Sequence, residues 1–168
     1  KMASSSTTDA FKVLLVGDAC VGKSAFLHKL MGCEFENHYI PTLGIEIHHI
    51  EVETPQCGKT KFVVYDFGGR DKYSLVFDQQ TGIHFSEYDC AIIMYDSSSL
   101  KSYKNVMVWE REVERIWGND IPIVVIRNKI DIGGGHIYEG PLECFGVSSR
   151  SDIGLEFPFI RLAEILYS

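Results

Sequence analysis

The sequence predicts an α/β fold in which a mostly parallel sheet of six strands carries helices on both faces. Apolar, strand-like runs alternate along the chain with segments whose apolar residues recur at helical spacing. Two neighbouring strand segments, 44–53 and 60–66, are joined by a turn sequence, which predicts a hairpin and one antiparallel strand at the sheet edge. We expect a single domain over residues 11–168 after a flexible leader, 1–10, whose Lys-Met start is typical of a residue added for expression.

Four other elements follow from short sequence patterns. FKVLLVG (11–17) is an apolar run that ends at glycine and predicts a buried strand. KSAFLHKLMG (23–32) has apolar residues at helical spacing and stops at glycine. After the hairpin, CAIIMYD (90–96) and IPIVVIRNK (121–129) are continuous apolar runs of the kind found in central parallel strands.

The second half of the chain contains two helices and one unusual connection. Residues 100–117 form an amphipathic pattern. Its predicted sheet-facing residues are Tyr103, Val106, Val113 and Trp117. The stretch at 132–141 has three consecutive glycines and a proline, so the helix between strands five and six is expected to be shortened or missing. Residues 142–148 predict the last strand and 155–167 a closing helix, with Pro158 near its first turn.

Composition limits the classes of function. The net charge of −7 disfavours a nucleic-acid-binding protein, although a phosphate site built from backbone N–H groups remains compatible with it. The five cysteines form no C-x-x-C pair, which disfavours a zinc site or a disulfide framework. The chain shows no secretory signal and no membrane-spanning apolar run, so we expect a cytoplasmic or nuclear protein.

GDACVGKS (17–24) matches the phosphate-binding pattern G-x-x-x-x-G-K-[ST] between a predicted strand and a predicted helix. In this pattern backbone N–H groups and the helix N-terminus hold phosphate oxygens, Lys23 neutralises their charge, and the hydroxyl of Ser24 ligates Mg²⁺. The predicted phosphate-binding residues are Gly17, Asp18, Ala19, Cys20, Val21, Gly22, Lys23, Ser24 and Ala25.

NKID (128–131) follows the fifth predicted strand, at the strand end where open α/β sheets bind ligands. The carboxylate of Asp131 can accept from two donors that guanine has and adenine lacks, while Asn128 and Lys129 would brace the loop and cover the base. A solvated turn is the alternative interpretation of these four residues. Their position relative to the phosphate-binding pattern favours guanine recognition.

Two further segments complete a nucleotide site. In DFGG (66–69), Asp66 would hold Mg²⁺ through water, and the N–H of Gly69 would reach the terminal phosphate, which requires a close backbone approach. In YIPT (39–42), Thr42 would complete the Mg²⁺ shell when that phosphate is present. An ordinary loop threonine is the alternative interpretation of Thr42.

With these motifs the chain resembles the Ras-superfamily small GTPases, whose fold is the P-loop NTPase G domain. Among them it is most similar to the Ran branch, through EFENHYIPTLGIEIH, CAIIMYD, SYKNVMVWEREVERI and IPIVVIRNKIDI. The resemblance is close from residue 11 to about 131 and loose over 142–167. It implies a monomeric GTP/GDP switch that uses Mg²⁺ and changes the loops around Thr42 and Gly69 on hydrolysis.

The resemblance also implies individual roles. Phe35 would lie against guanine, Tyr39 would fold over the phosphates, and Ser148, Ser149 and Arg150 would form the last base-contacting loop. Effectors, exchange factors or transport receptors would bind through residues 36–46 and 66–80. No nucleic-acid or membrane partner is expected from this chain.

The chain departs from the family pattern at its reaction centre. Arg70 stands where the family has a water-orienting Gln. The other two catalytic candidates are Lys23 and Thr42. Because Arg has only donors, it cannot accept a proton from the attacking water, which predicts very slow intrinsic hydrolysis. Two positions of Arg70 are open: contact with the terminal phosphate, or a turn away into solvent or into an ion pair with a neighbouring carboxylate such as Asp71. Ala19 and Cys20 also replace residues that are often glycine.

Other departures concern partners. The glycine-rich stretch at 132–141 replaces a longer basic region of Ran, and Ran's acidic tail does not follow the closing helix, so a role in nuclear transport is open. Two alternatives to a Ran-like switch therefore remain: a GTP-locked pseudo-GTPase that sequesters partners, and a Rab-like traffic switch. His48 and His49 are adjacent on a strand and point to opposite faces, so no metal shared between them is expected. Trp109 and Trp117 are interpreted as core or half-buried helix residues.

Overall fold

The computed structural model describes residues 10–31, 38–40, 45–67 and 88–168, with the backbone alone for 38–40. Within these residues lies one seven-stranded sheet in the order β2-β3-β4-β1-β5-β6-β7. The strands are β1 (Phe11–Val16), β2 (His38–Ile40), β3 (Ile45–Thr54), β4 (Gly58–Asp66), β5 (Cys90–Asp96), β6 (Ile123–Asn128) and β7 (Glu143–Gly146). The helices are α1 (Lys23–Met31), α2 (Leu100–Trp117) and α3 (Phe157–Tyr167).

The sheet is parallel except around β3. Strand β1 pairs in parallel with β4 and β5, and the parallel order continues through β6 to β7. Strand β3 runs antiparallel to both of its neighbours, β2 and β4. The predicted α/β class with one antiparallel strand is thus confirmed. The short strand β2 lies outside β3, so β3 is the second strand of the sheet rather than the predicted edge strand. The sequence did not predict β2 because three residues are too few to show a periodic pattern.

Successive side chains of each strand point to opposite faces of the sheet, so the core has two layers. Val13 and Leu15 of β1 face one side, where they pack in a buried cluster with Phe26 of α1 and Phe159 of α3. Leu14 and its period-two neighbours face the other side and pack against α2. The helices therefore cover both faces of the sheet and hold the C-terminal ends of the strands in fixed positions.

Helix α2 begins at an N-cap in which the Ser99 side chain accepts from the N–H of Ser102. Val106 and Val113 are buried, as predicted, whereas Tyr103 and Trp117 are half-buried. Trp109 is also buried, at 3% exposure. In the described residues no helix combines the length and the apolar character that crossing a bilayer requires.

The connection between β6 and β7 contains only a 3-10 turn, Ile130–Ile132, which confirms the missing helix. The loop that follows is nevertheless tied to the sheet. Arg127 donates to the carbonyls of Gly134 (3.0 Å) and His136 (3.1 Å), and the hydroxyl of Tyr95 donates to the same His136 carbonyl at 2.7 Å. The ring of His136 stacks on Tyr103 with centroids 5.7 Å apart. Side-chain and ring contacts thus hold this loop against β5, β6 and α2.

Candidate functional site

The loop from 17 to 22 connects β1 to α1 and has a conformation that depends on glycine. Gly17 and Gly22 have φ values of +153° and +99°. A Cβ on Gly17 would collide with the backbone carbonyl of Met94, and one on Gly22 would lie 2.5 Å from the side-chain amide of Asn128. Cys20 also has a positive φ, +65°, which is strained for a residue with a side chain. The loop therefore approaches β5 and β6 closely at its two glycines, where a side chain would not fit.

Lys23 is held inside this loop. Its ammonium donates to the carbonyls of Gly17 (2.8 Å) and Asp18 (2.7 Å), and the residue is 3% exposed. Burial lowers the pKa of Lys23, while the carboxylates of Asp66 and Asp18 act in the opposite direction. Two of its three donors are thus used to fix the ammonium at the phosphate-binding loop.

Asp66 ends β4 beside the start of α1. The hydroxyl of Ser24 donates to its Oδ2 at 2.7 Å. Its other oxygen, Oδ1, is buried and has no hydrogen-bond partner among the described residues. Burial raises the pKa of Asp66, and the hydrogen bond from Ser24 and the charge of Lys23 partly offset that effect. A hydroxyl next to a buried carboxylate with an unpartnered oxygen is a donor set that suits a hard cation such as Mg²⁺.

Asn128 connects the phosphate-binding loop to the NKID loop that follows β6. Its amide N–H donates to the carbonyl of Val21 at 2.9 Å, and its Oδ1 accepts from the N–H of Lys129 at 2.8 Å. Lys129 has a left-handed φ of +64° and donates to the carbonyl of Cys20 (3.1 Å) and to Asp96 (2.9 Å). The side chains of Asn128 and Lys129 are thus turned towards the phosphate-binding loop.

Asp131 lines a cavity beside this loop. The hydroxyl of the buried Ser148 donates to its Oδ1 at 2.7 Å, which orients the carboxylate. The Oγ of Ser149 is buried without a partner among the described residues, so it is available to a ligand in the adjacent cavity. This cavity has a volume of about 440 Å³. Its lining includes Gly22, Ala25, Asn128, Lys129, Asp131, Ser149 and Arg150, together with Lys29 and Ile132, which the sequence did not single out.

The structure therefore brings the two predicted loops and Asp66 together around one end of the sheet. It gives no side-chain position for Tyr39, whose backbone lies in β2 opposite Glu46. Phe35, Thr42, Gly69 and Arg70 lie outside the described residues, as does most of the two expected partner surfaces.

Sequence reasoning missed the support that α2 gives to the phosphate-binding loop. The carboxylate of Asp18 accepts from the amide of Asn105 (2.7 Å) and from the indole N–H of Trp109 (2.9 Å). The interpretation of Trp109 as a core residue is right about its burial but omits this contact. The spacing of Asn105 and Trp109, four residues apart on one helix face, was the available signal.

The fold and these loops define a nucleotide-binding protein that holds phosphate at a strand-loop-helix junction and a base at the next-but-one strand. A comparison with protein families agrees, since the model of the Ras family matches residues 12–139. The chain belongs to the Ras family. It is accordingly a small GTPase of the switch type, and Ras-family proteins bind GTP and GDP with Mg²⁺, hydrolyse GTP and engage effector proteins.

Proposed function

We propose that this chain is a Ran-like small GTPase that binds GTP and GDP with Mg²⁺ but hydrolyses GTP very slowly, because Arg70 replaces the catalytic Gln. Binding is supported by the arrangement of Asn128, which is hydrogen-bonded to the phosphate-binding loop while its neighbours form the cavity beside Asp131. This single contact aligns the phosphate and base ends of one ligand. The protein acts as a monomer in the cytoplasm or the nucleus.

The donor groups present suit each part of the ligand. Lys23 and the N–H groups of the loop would hold the phosphates, while Ser24 and Asp66, with Thr42, would hold Mg²⁺, which neutralises phosphate charge when bound. Asp131, oriented by Ser148, would accept from guanine, and Ser149 would supply a further polar contact. Phe35 and Tyr39 would cover the base and the phosphates.

Slow hydrolysis follows from the chemistry of Arg70. A guanidinium has donors but no acceptor, so it cannot orient the attacking water as an amide oxygen can. If it contacts the terminal phosphate equally well before and during the reaction, it stabilises bound GTP and adds nothing to the rate. The missing water contact is expected to reduce turnover by roughly 10- to 1,000-fold.

Single-turnover hydrolysis by the GTP-loaded full chain tests this proposal. Arg70→Gln should raise the rate by roughly 10-fold or more, whereas Arg70→Ala, which also lacks an acceptor, should stay slow. Equal rates in the three proteins would show that another defect, such as Ala19 or Cys20, limits the reaction. Wild-type hydrolysis as fast as that of an ordinary Ras-type protein would contradict the proposal outright.

The nucleotide that co-purifies separates the switch from a GTP-locked pseudo-GTPase. Bound GDP indicates that turnover occurs, and bound GTP favours the pseudo-GTPase. The Ran-like assignment is tested separately by mixing the GTP-loaded and GDP-loaded protein with nuclear transport receptors. Tight binding of the GTP form alone would support it, and equal or no binding would contradict it.

A further inference from the structure

A cluster of three potential metal ligands lies between α1 and β3. His28 is in the last turn of α1, while Glu46 and His48 are two residues apart in β3 and so share a face of that strand. One oxygen of Glu46 lies 3.0 Å from Nε2 of His48 and 3.8 Å from Nε2 of His28. The three ligand atoms are all within 4.8 Å of one another.

These separations suit a small transition-metal ion. With metal–ligand bonds of about 2.0–2.1 Å, tetrahedral ligand atoms lie about 3.3 Å apart. The two carboxylate–imidazole distances fall on either side of that value. The remaining pair, His28 and His48, lies within 4.8 Å, so the exposed His28 would turn inward when the ion binds. Two imidazole nitrogens, one carboxylate oxygen and an open fourth position form a ligand set that zinc proteins use. Imidazole ligands favour Zn²⁺ over Mg²⁺, which distinguishes this cluster from Ser24 and Asp66.

Both ring nitrogens of the buried His48 face acceptor atoms, which also favours a bound cation. Its Nδ1 lies 3.3 Å from the sulfur of Met31, and its Nε2 faces the Glu46 carboxylate. Thioether and carboxylate are both acceptors, so a neutral His48 can make only one of these contacts as a donor. Burial lowers the pKa of His48, although Glu46 acts in the opposite direction, and the residue has no solvent exposure. A cation bound to Nε2 and Glu46 would leave Nδ1–H to donate to the sulfur.

Access to the cluster is open from one side. The side chain of His28 is 51% exposed and that of Glu46 is 31% exposed, whereas His48 is fully buried. His48 would thus be the fixed ligand, and the two others could adjust around an ion arriving from solvent. On the opposite face of β3, His49 is exposed and takes no part in the cluster.

We propose that His28, Glu46 and His48 form a binding site for a divalent transition-metal ion of the Zn²⁺ type, separate from the Mg²⁺ site of the nucleotide. The ion joins the helix that follows the phosphate-binding loop to β3. Glu46 is the register partner of Asp66 in β4, so the ion also fixes the strand beside that residue. The inference does not depend on slow hydrolysis or on Ran-like partners.

The test uses the full chain, loaded with GDP and Mg²⁺ and freed of other metals, in competition with a chromogenic zinc indicator during titration with ZnCl₂. Wild type should take up one equivalent of Zn²⁺ and gain thermal stability with rising zinc concentration. His28→Asn and Glu46→Gln should each weaken zinc binding at least tenfold. His49→Asn, the matched control one residue from His48, should bind zinc like wild type. The proposal fails if wild type takes up no zinc, if the first two variants match wild type, or if His49→Asn loses binding equally.

Cysteine thiolates are the competing ligands, and Co²⁺ distinguishes them. One equivalent of Co²⁺ at a site of nitrogen and oxygen ligands gives weak visible bands, whereas thiolate ligation adds an intense near-ultraviolet charge-transfer band. Weak bands that His28→Asn abolishes would support the proposal. A charge-transfer band that survives in this variant would overturn it. Far-ultraviolet circular dichroism and retained GDP in each variant establish that loss of metal is not loss of fold.

Discussion

The indole N–H of Trp109 donates to the carboxylate of Asp18 at 2.9 Å, across 91 positions of sequence. Asn105, one turn earlier on α2, donates to the other oxygen of that carboxylate at 2.7 Å. The second residue of the phosphate-binding loop is therefore fixed by a helix from the opposite layer of the fold. Because this contact is made by protein groups alone, we expect it to order the loop before the nucleotide arrives.

Asn105→Ala tests this support. It removes a hydrogen bond to a charged acceptor, so the free energy of unfolding should fall by about 1.5 kcal/mol. The rate of GDP release should rise as well, since the loop is less ordered. Denaturant unfolding and release of a fluorescent GDP analogue measure the two effects. Lys104→Ala, an exposed neighbour on the same helix, should change neither, and an unaltered release rate in Asn105→Ala would show that the contact is purely structural.

Cys20→Gly should stabilise the protein. Cys20 has a φ of +65°, where a side chain costs roughly 1 kcal/mol and glycine is unstrained. Ala19→Gly is the matched control. Ala19 does not have a positive φ, so the backbone freedom that glycine adds should lower the free energy of unfolding of the protein by about 0.5 kcal/mol. Opposite signs in thermal unfolding are the expected result, and destabilisation by both changes would contradict the strain at Cys20.

Asp131→Asn should change the preferred base. In the proposed site the carboxylate would accept from two guanine donors, and an amide could accept from only one of them. GTP affinity should fall by at least 10-fold, the effect of an unpaired buried donor, while a xanthine nucleotide, whose C2 carbonyl can accept from the new amide, should bind better. Competition against labelled GDP measures both. Asp152→Asn, on an exposed residue outside the cavity lining, should leave the preference for guanine intact.

Asp66→Asn should separate stability from Mg²⁺ binding. Burial raises the pKa of Asp66, so its favourable contribution is present below the usual carboxyl pKa of about 3.9 and is lost as pH rises through the raised value. At neutral pH the variant lacks this buried charge, so without nucleotide its free energy of unfolding should be higher by about 1 kcal/mol, as measured by thermal unfolding. Removing Mg²⁺ should accelerate GDP release in wild type but have little effect in the variant. A variant that is less stable at neutral pH would contradict this expectation, because it would show that Ser24 and Lys23 fully offset the cost of burying the Asp66 charge.

The sequence predicted those parts of the site that are continuous in the chain. The loop at 17–24 and NKID at 128–131 each place several groups through one local backbone geometry, so their spacing alone is informative. Strand β2 was missed because three residues carry no periodicity. The contacts of Asp18 with α2 and of His28 with β3 depend on which helix faces meet in the folded sheet, and local patterns do not specify that. The predictions for Thr42, Gly69 and Arg70 stay predictions, since these residues lie outside the described part of the chain.

One amide side chain connects the two loops of the proposed nucleotide site. Asn128 donates to Val21 in the phosphate-binding loop and accepts from Lys129 in the base-binding loop. A displacement of either loop must therefore strain the other, so we expect base and phosphates to be released in one concerted step. An exchange factor that pushes on only one end of such a site would empty both.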